Sequence, residues 1–150
     1  MDFTAPIPDL LASPTLLFRV GTDLYGSEVT DAQEVIPVRP TTRIPGAPAF
    51  VRGLINMRGT IITVLDLAVR LDSTRAPTPD GSILLVRHRG GDRMVGIIVD
   101  EVLDVRSLSI DADSTAGGAR SAITRGVATV DDATVVILDL DVLISQVLHS

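Results

Sequence analysis

The sequence predicts an all-β protein made of two small barrels that are related by an internal repeat. Short apolar runs rich in Val, Ile and Leu recur along the chain, and Gly, Pro, Asp or Asn residues bound them. The segment Arg52–Leu67 matches Arg125–Leu140 at a constant spacing, with Val64–Leu67 against Ile137–Leu140. Because the unit occurs only twice, it indicates duplicated barrels and not a solenoid, which needs at least about three units.

Two halves of the chain follow from this repeat. They span residues 15–71 and 83–148, and residues 72–82, which are rich in Pro, Ser, Thr and Gly, connect them. We expect one domain over residues 1–150, with two subdomains at these approximate limits. Several short strands per half favour closed barrels, because closing a sheet removes its exposed edges.

Each half opens with a strand and a hairpin. Leu16–Arg19 leads into the loop Gly21–Asp23, and Leu84–Arg87 leads into the longer loop Arg89–Asp92. Gly and Asp are residue types that suit tight turns. His88 falls at the end of the second of these strands, where we expect it to be exposed to solvent.

The most informative turn of the chain carries Arg58. Asn56 and Gly59 flank the arginine between two strand-like runs, and both are residue types that tolerate the positive φ of tight hairpins. The counterpart in the second half, Thr129–Asp132, has no arginine. A residue needed only to shape the barrel should recur in both copies. The turn therefore predicts a binding role for Arg58, and the alternative is a solvated turn residue.

An aspartate and a helical pattern end each half. Asp66 precedes a short turn through Leu71. Asp139 precedes apolar residues at helical spacing, namely Leu140, Leu143, Ile144, Val147 and Leu148. Aspartate is a preferred N-cap residue, and Asp141 adds negative charge where the helix dipole favours it. We therefore interpret Asp66 and Asp139 as structural caps and not as a catalytic pair of carboxylates.

The composition argues against several classes of protein. The chain has 150 residues, a net charge of −6 and 3% aromatic residues. The negative charge argues against a protein that binds phosphate backbones. The few aromatic residues leave few platforms for stacking single-stranded bases. No apolar run approaches the ~18 residues of a membrane span. We therefore expect neither nucleic acid as a partner nor direct membrane insertion.

Few residues have the chemistry of a catalytic or metal site. The chain has no cysteine, which excludes a disulfide framework and a thiol nucleophile. His88 and His149 have no Asp or Glu at metal-ligand spacing. One acidic cluster, Asp100, Glu101 and Asp104, leaves open an alternative function as a small-ligand- or metal-binding barrel. Apart from that alternative, we expect no cofactor, no metal and no enzymatic activity.

Several segments, in this order along residues 14–148, resemble the CheW family of chemotaxis adaptor proteins. The most specific stretch runs from Pro45 through Asn56–Gly59 to Val64–Leu67. Other segments resemble the start, middle and end of the family, namely Leu17–Val20, Tyr25-Gly26, Gln33–Ile36, Arg93–Asp100 and Val136–Asp139. The Asn-x-Arg-Gly turn is unspecific alone, whereas the blocks in this order are specific.

The resemblance implies a fold and a function. It implies two SH3-like β-barrel subdomains packed around a shared apolar core, with a short C-terminal helix. It implies a non-catalytic adaptor that couples the cytoplasmic tip of chemoreceptors to the regulatory domain of the histidine kinase CheA. Such an adaptor would be cytoplasmic and clustered through receptors at the inner face of the membrane. A related adaptor of a divergent, surface-motility system is an alternative.

The resemblance also implies two sets of contact residues. Receptor-binding positions would be Glu34, Arg58, Gly96 and Val99. Kinase-binding positions would be Ser27, Val29 and Asp31. The positions of Ser27 and Thr30 are usually apolar in the family. Because an apolar side chain that stays unburied forgoes about 1.5–3 kcal/mol, these two polar residues would weaken docking of the kinase.

Overall fold

The computed structural model describes residues 12–71, 81–89, 91, 93–111 and 123–148. Ten strands account for most of them, namely β1 (Ala12–Val20), β2 (Asp23–Glu28), β3 (Ala32–Pro37), β4 (Val51–Met57), β5 (Thr60–Asp66), β6 (Ser82–Arg87), β7 (Met94–Val99), β8 (Glu101–Ser109), β9 (Thr124–Val130) and β10 (Ala133–Leu138). Two helices, α1 (Leu67–Arg70) and α2 (Leu140–Leu148), follow β5 and β10, and a 3-10 turn spans Val29–Asp31. Most of the predicted connection 72–82 lies outside the described residues.

The strands form two five-stranded sheets. We name each five-stranded sheet as one barrel. Barrel A is the sheet with the strand order β8-β1-β2-β10-β9, and barrel B is the sheet with the order β3-β6-β7-β5-β4. Each barrel is mostly antiparallel and contains one parallel pair, β2 with β10 in barrel A and β7 with β5 in barrel B. The chain passes from barrel A to barrel B through the 3-10 turn and returns at Asp100.

The repeat is present in the structure, but its halves are not the barrels. The first half supplies β1 to β5 and the second supplies β6 to β10, yet each barrel takes two strands from one half and three from the other. When each strand of barrel A is replaced by the strand at the same place in the other half of the repeat, the result is the strand order of barrel B. The subdomain limits 15–71 and 83–148 therefore do not coincide with the sheets. Both copies offer the same apolar pattern, so local sequence does not specify which copy a strand joins.

Two glycines, Gly26 and Gly96, occupy equivalent positions in the two barrels. Gly26 lies opposite Leu17 and Ile137, and Gly96 lies opposite Leu85 and Val64. A Cβ on Gly26 would lie 2.7 Å from the Thr15 methyl group, and one on Gly96 would lie 2.7 Å from an Ile83 methyl group. The same close packing of a central strand thus occurs in both barrels.

Three apolar cores hold the molecule together. One fills barrel B around Ile62 and Leu85, and another fills barrel A around Val135 and Ile137. The largest lies between the barrels and combines residues of β1, β6 and β7 with both helices, including Phe18, Leu84, Ile97, Leu140 and Leu143. Burial of this many apolar side chains makes the interface between the barrels a core in its own right.

Both predicted helix caps are confirmed. The Asp66 carboxylate accepts hydrogen bonds from the backbone N–H groups of Ala68 and Val69. The Asp139 carboxylate accepts one from the N–H of Val142 at 3.1 Å. Each bond satisfies a donor that the first turn of a helix leaves without a partner in the helix.

Candidate docking surfaces

Arg58 lies at the tip of the two-residue turn between β4 and β5. Arg58 and Gly59 have φ values of 51° and 88°, the combination that matches the twist of a hairpin. Asn56, which we expected at positive φ, belongs to β4 instead, and its Oδ1 accepts a hydrogen bond from the N–H of Gly59 at 2.9 Å. The turn is therefore held in shape before any partner arrives, which lowers the entropy cost of binding.

The guanidinium of Arg58 forms an ion pair with Glu34 of β3. One guanidinium nitrogen donates to both carboxylate oxygens, at 2.8 and 2.6 Å. The side chains remain 69% and 39% exposed. Beside the pair is a pocket lined by apolar and polar residues, namely Gln33, Met57, Thr60, Ile62, Leu85 and Met94. The arrangement can offer a charged group and an apolar wall to the same ligand.

Gly96 and Val99 lie elsewhere, on the central strand of barrel B. Gly96 is buried, and Val99 is 1% exposed and belongs to the core between the barrels. The strand is buried on both faces, because Ile98 packs inside barrel B while Ile97 packs against barrel A. This burial argues against direct contact between either predicted residue and a receptor.

The three predicted kinase-binding residues are also largely covered. Ser27 is 1% exposed, and its hydroxyl has no hydrogen-bond partner among the described residues. Val29 packs against the core between the barrels. Asp31 is 6% exposed and accepts two hydrogen bonds from Arg89, at 3.0 and 2.7 Å. Thr30 is the exposed residue of this turn.

Four large apolar side chains on the strands are exposed, which the sequence did not predict. Val35, Leu103 and Val105 are 45%, 43% and 48% exposed on β3 and β8, which are the end strands of their sheets. Val35 pairs with Leu84, and Val105 pairs with the equivalent Leu16. Ile61, next to the Arg58 turn, is 60% exposed.

The acidic cluster does not form a ligand site. The Asp100 carboxylate accepts a hydrogen bond from the N–H of Gly21 at 2.5 Å. Glu101 pairs with Arg19, and Asp104 accepts from the N–H of Val105. Within the described ranges, no group of three His, Asp or Glu side chains converges as a metal site requires. The cluster therefore serves turns and strand ends.

No helix in the described part of the chain has the length and apolar character needed to cross a membrane.

Comparisons with known proteins agree with this architecture. A family model described as a CheW-like domain matches residues 14–148. The chemotaxis protein CheW of Klebsiella aerogenes is 29% identical over 137 residues, covering 87% of this chain and 81% of that protein. The chemotaxis protein CheW of Thermotoga maritima is 30% identical over 137 residues, covering 88% of this chain and 87% of that protein.

A solved structure is similar in fold. The scaffolding protein TtCheW from Thermoanaerobacter tengcongensis matches with a TM-score of 0.73 and 31% identity, covering 85% of this chain and 88% of that chain. This similarity confirms the predicted fold class of two SH3-like barrels around a shared core, with a short C-terminal helix.

Proposed function

We propose that this chain, which belongs to the CheW-like family of non-catalytic chemotaxis scaffold proteins, is the adaptor that couples chemoreceptors to a CheA-type histidine kinase. The chain is not an enzyme. Membership of the family carries the proposal, because the family model spans residues 14–148. The proposed place of action is the cytoplasm, where the protein would cluster at the inner face of the membrane through the receptor tips.

The proposed receptor surface is the pocket beside Arg58. The guanidinium is paired with Glu34 but largely exposed, so a carboxylate of the receptor can share it or replace Glu34. Arginine suits this exchange, since its planar fork binds two acceptors at once. Met57 and Met94 supply adaptable apolar contacts for a helical hairpin. Gly96 would contribute only by shaping the sheet.

The end strands offer a second candidate surface, on the face of β3 opposite to Glu34. Val35 lies next to Glu34 on β3, and Leu103 and Val105 lie on the equivalent part of β8. Association would remove their exposed apolar area from water, which is the main favourable term in most protein–protein contacts.

The proposed kinase-facing region is the turn from Ser27 to Asp31. Its buried side chains fix the backbone, and the exposed Thr30 lies at its surface. A regulatory domain would therefore meet the shape of the turn more than the side chains of Ser27 or Asp31.

A titration with the CheA regulatory domain of the same genome tests the proposal. We expect a one-to-one complex by calorimetry, with a dissociation constant in the micromolar range or below. Absence of binding at concentrations of about 100 μM, where the free energy of association would be weaker than about −5.5 kcal/mol, would contradict the adaptor role.

The receptor surface has its own test. Arg58→Ala should weaken binding of a receptor signalling fragment at least about tenfold, because a central arginine loses its charge and its packing. Arg43→Ala is the matched control, since Arg43 is exposed and has no ion pair within the described ranges. Binding of the kinase domain should be unchanged in both variants. Equal receptor binding by Arg58→Ala and wild type would remove Arg58 from the surface.

A further inference from the structure

A network of ionic groups surrounds the turn where the chain passes from barrel A to barrel B. Arg89, from the β6–β7 loop of barrel B, donates from Nε and one terminal nitrogen to the two oxygens of Asp31, at 3.0 and 2.7 Å. The same terminal nitrogen lies 3.3 Å from Glu28, the last residue of β2. One guanidinium therefore holds both ends of the turn.

Further contacts connect Arg89 to helix α2 and strand β9. The Asp141 carboxylate accepts a hydrogen bond from the backbone N–H of Arg89 at 2.7 Å and pairs with Nδ1 of His88 at 2.8 Å. The second oxygen of Glu28 accepts from Arg125 at 2.7 Å. His88, which we expected to be exposed, is only 13% exposed because of this packing.

These groups come from opposite sides of the interface between the barrels. Glu28 and Arg125 belong to strands of barrel A. Asp141 belongs to α2, the helix that follows strand β10 of the same barrel. His88 and Arg89 belong to the hairpin loop of barrel B. The contacts are therefore directional bonds across an interface that is otherwise held by apolar packing, whose driving force is non-directional.

The other crossing, at Asp100, has an arginine of its own. Arg19 lies 3.9 Å from Asp100 and 3.4 Å from Glu101, both longer than the contacts of Arg89 with Asp31. Arg19 is on β1, the neighbour of β8 in the same sheet, so its contacts remain within barrel A.

We propose that Arg89 is a positioning residue that fixes the angle between the two barrels by holding Glu28 and Asp31. If the proposed adaptor function is correct, this angle also sets how the Ser27–Asp31 turn meets the kinase. The charge alone is not sufficient, because a lysine ammonium cannot make the two-pronged contact with Asp31. The hydrogen bond to Asp31 raises the pKa of Arg89 above its usual value.

A distance measurement between the barrels tests this proposal without any partner. The chain contains no cysteine, so two introduced cysteines are the only labelling sites. Ile61→Cys on β5 and Thr134→Cys on β10 place spin labels at equivalent exposed positions of the two barrels. We expect one narrow distance distribution in the parent protein and a broader or shifted one with Arg89→Gln.

Control variants separate position from charge and from folding. Arg43→Gln removes a positive charge from barrel B outside the network and should leave the distance unchanged, and Arg89→Lys should behave like Arg89→Gln. If Arg89→Gln does not fold, Glu28→Gln removes one member of the network and should broaden the distribution to a smaller extent. An unchanged distribution in a folded Arg89→Gln protein, or in Glu28→Gln where that substitute is needed, would overturn the proposal.

Binding measurements then separate the positioning role from the adaptor function. We expect Arg89→Gln to weaken binding of the kinase regulatory domain about tenfold, equivalent to about 1.4 kcal/mol, and to change receptor binding less. Failure of the parent protein to bind the kinase would contradict the adaptor function while the distance measurement still decides the role of Arg89. A changed distance with unchanged kinase affinity would contradict the link between angle and docking.

Discussion

The hairpin tips of the two barrels have the same backbone and opposite charge. In barrel B, Arg58 and Gly59 have φ values of 51° and 88°, and in barrel A, Asp131 and Asp132 have values of 49° and 68°. Arg58 contacts Glu34 at 2.6 Å, whereas Asp131 lies 3.7 Å from Arg106. The barrel thus requires the turn but not its charge, so the residue at the tip is free to serve a partner.

The two barrels differ in charge as a whole. Residues 32–99, which contain barrel B, carry nine arginines and five acidic residues. Residues 12–31 and 100–148, which contain barrel A, carry four arginines and twelve acidic residues. The duplicated scaffold therefore presents a basic barrel beside an acidic one. An acidic partner surface suits barrel B, and a basic partner surface suits barrel A. The binding of both should weaken as the salt concentration rises.

The largest effect that tests the equivalence of the barrels is expected at the central glycines. Gly26→Ala and Gly96→Ala each place a Cβ 2.7 Å from a methyl group of a β-branched side chain, Thr15 or Ile83. Such side chains are stiff at χ1 and do not turn away easily. We expect each variant to lose about 1–3 kcal/mol of unfolding free energy, measured by urea unfolding. A loss confined to one glycine would show that equivalent register does not mean equivalent packing.

A repeated arginine sharpens the comparison, because its two copies differ in the burial of their partners. Arg52 and Arg125 occupy equivalent positions, but Arg52 bonds at 2.9 Å to Asp66, whose side chain is 3% exposed, and Arg125 bonds to Glu28, which is 32% exposed. Arg52→Gln should cost about 1–3 kcal/mol, because it removes a charged bond from a buried group. Arg125→Gln should cost about 0–1 kcal/mol. Equal losses in calorimetric unfolding would contradict this ranking.

Much of the fold could be predicted because it depends on sequence patterns that span only a few residues. Asp66 and Asp139 were recognisable as caps, since a cap and its apolar spacing lie within a few residues. The exchange of strands between the barrels was not predictable. Both halves offer the same alternation of apolar residues, and the choice of partner depends on contacts that are distant in sequence.

The predicted contact residues also divide into those that the local sequence identifies and those that it does not. The position of the turn around Arg58 was predictable from Gly59, but Arg58, and not Asn56, is the second residue with positive φ. Gly96 and Val99 lie on a strand that is buried on both faces, so the alternation of side chains along it gives no outward position, and their predicted contact with a receptor stays a prediction. The exposure of Val35 and Val105 could not be predicted, since apolar residues on an end strand have the same pattern as residues of the core.

Ser27 offers a test in the stabilising direction. Its equivalent in barrel B, Ile97, is fully buried in the core between the barrels. Ser27→Ala removes a buried hydroxyl that has no partner in the described part of the chain, so we expect a gain of about 1 kcal/mol. For a chain of this size, that gain would raise Tm by about 2–4 °C. A lower Tm would indicate that the hydroxyl is satisfied, for example by water.

The two helices differ in their first turn, and acid should reveal the difference. Asp141 of α2 has Ala68 as its equivalent in α1. Burial alone would raise the pKa of Asp141, but the bonds from the Arg89 N–H and His88 outweigh it and lower the pKa below 3.8. The unfolded state then takes up the proton at a higher pH, so this stabilisation exists above about pH 4 and is lost as the pH falls.

Asp141→Asn should therefore flatten the loss of unfolding free energy between about pH 5 and pH 3. Ala68→Ser, at the equivalent position of α1, is the matched control and should leave the slope unchanged. Denaturant titrations at several pH values measure both variants. A slope for Asp141→Asn as steep as that of the parent would mean that other carboxylates cause the acid sensitivity.

The smallest effect on stability is expected at the tips themselves. Arg58 is 69% exposed and Asp131 is 83% exposed, so their ion pairs are screened by water. Arg58→Ala and Asp131→Ala should each change the unfolding free energy by less than about 0.5 kcal/mol, measured by urea unfolding. If both changes in unfolding free energy are near zero, stability does not explain why only one tip carries an arginine, and binding remains as the reason. A loss above about 1 kcal/mol for Arg58→Ala only would instead make the Glu34 pair a structural contact of barrel B.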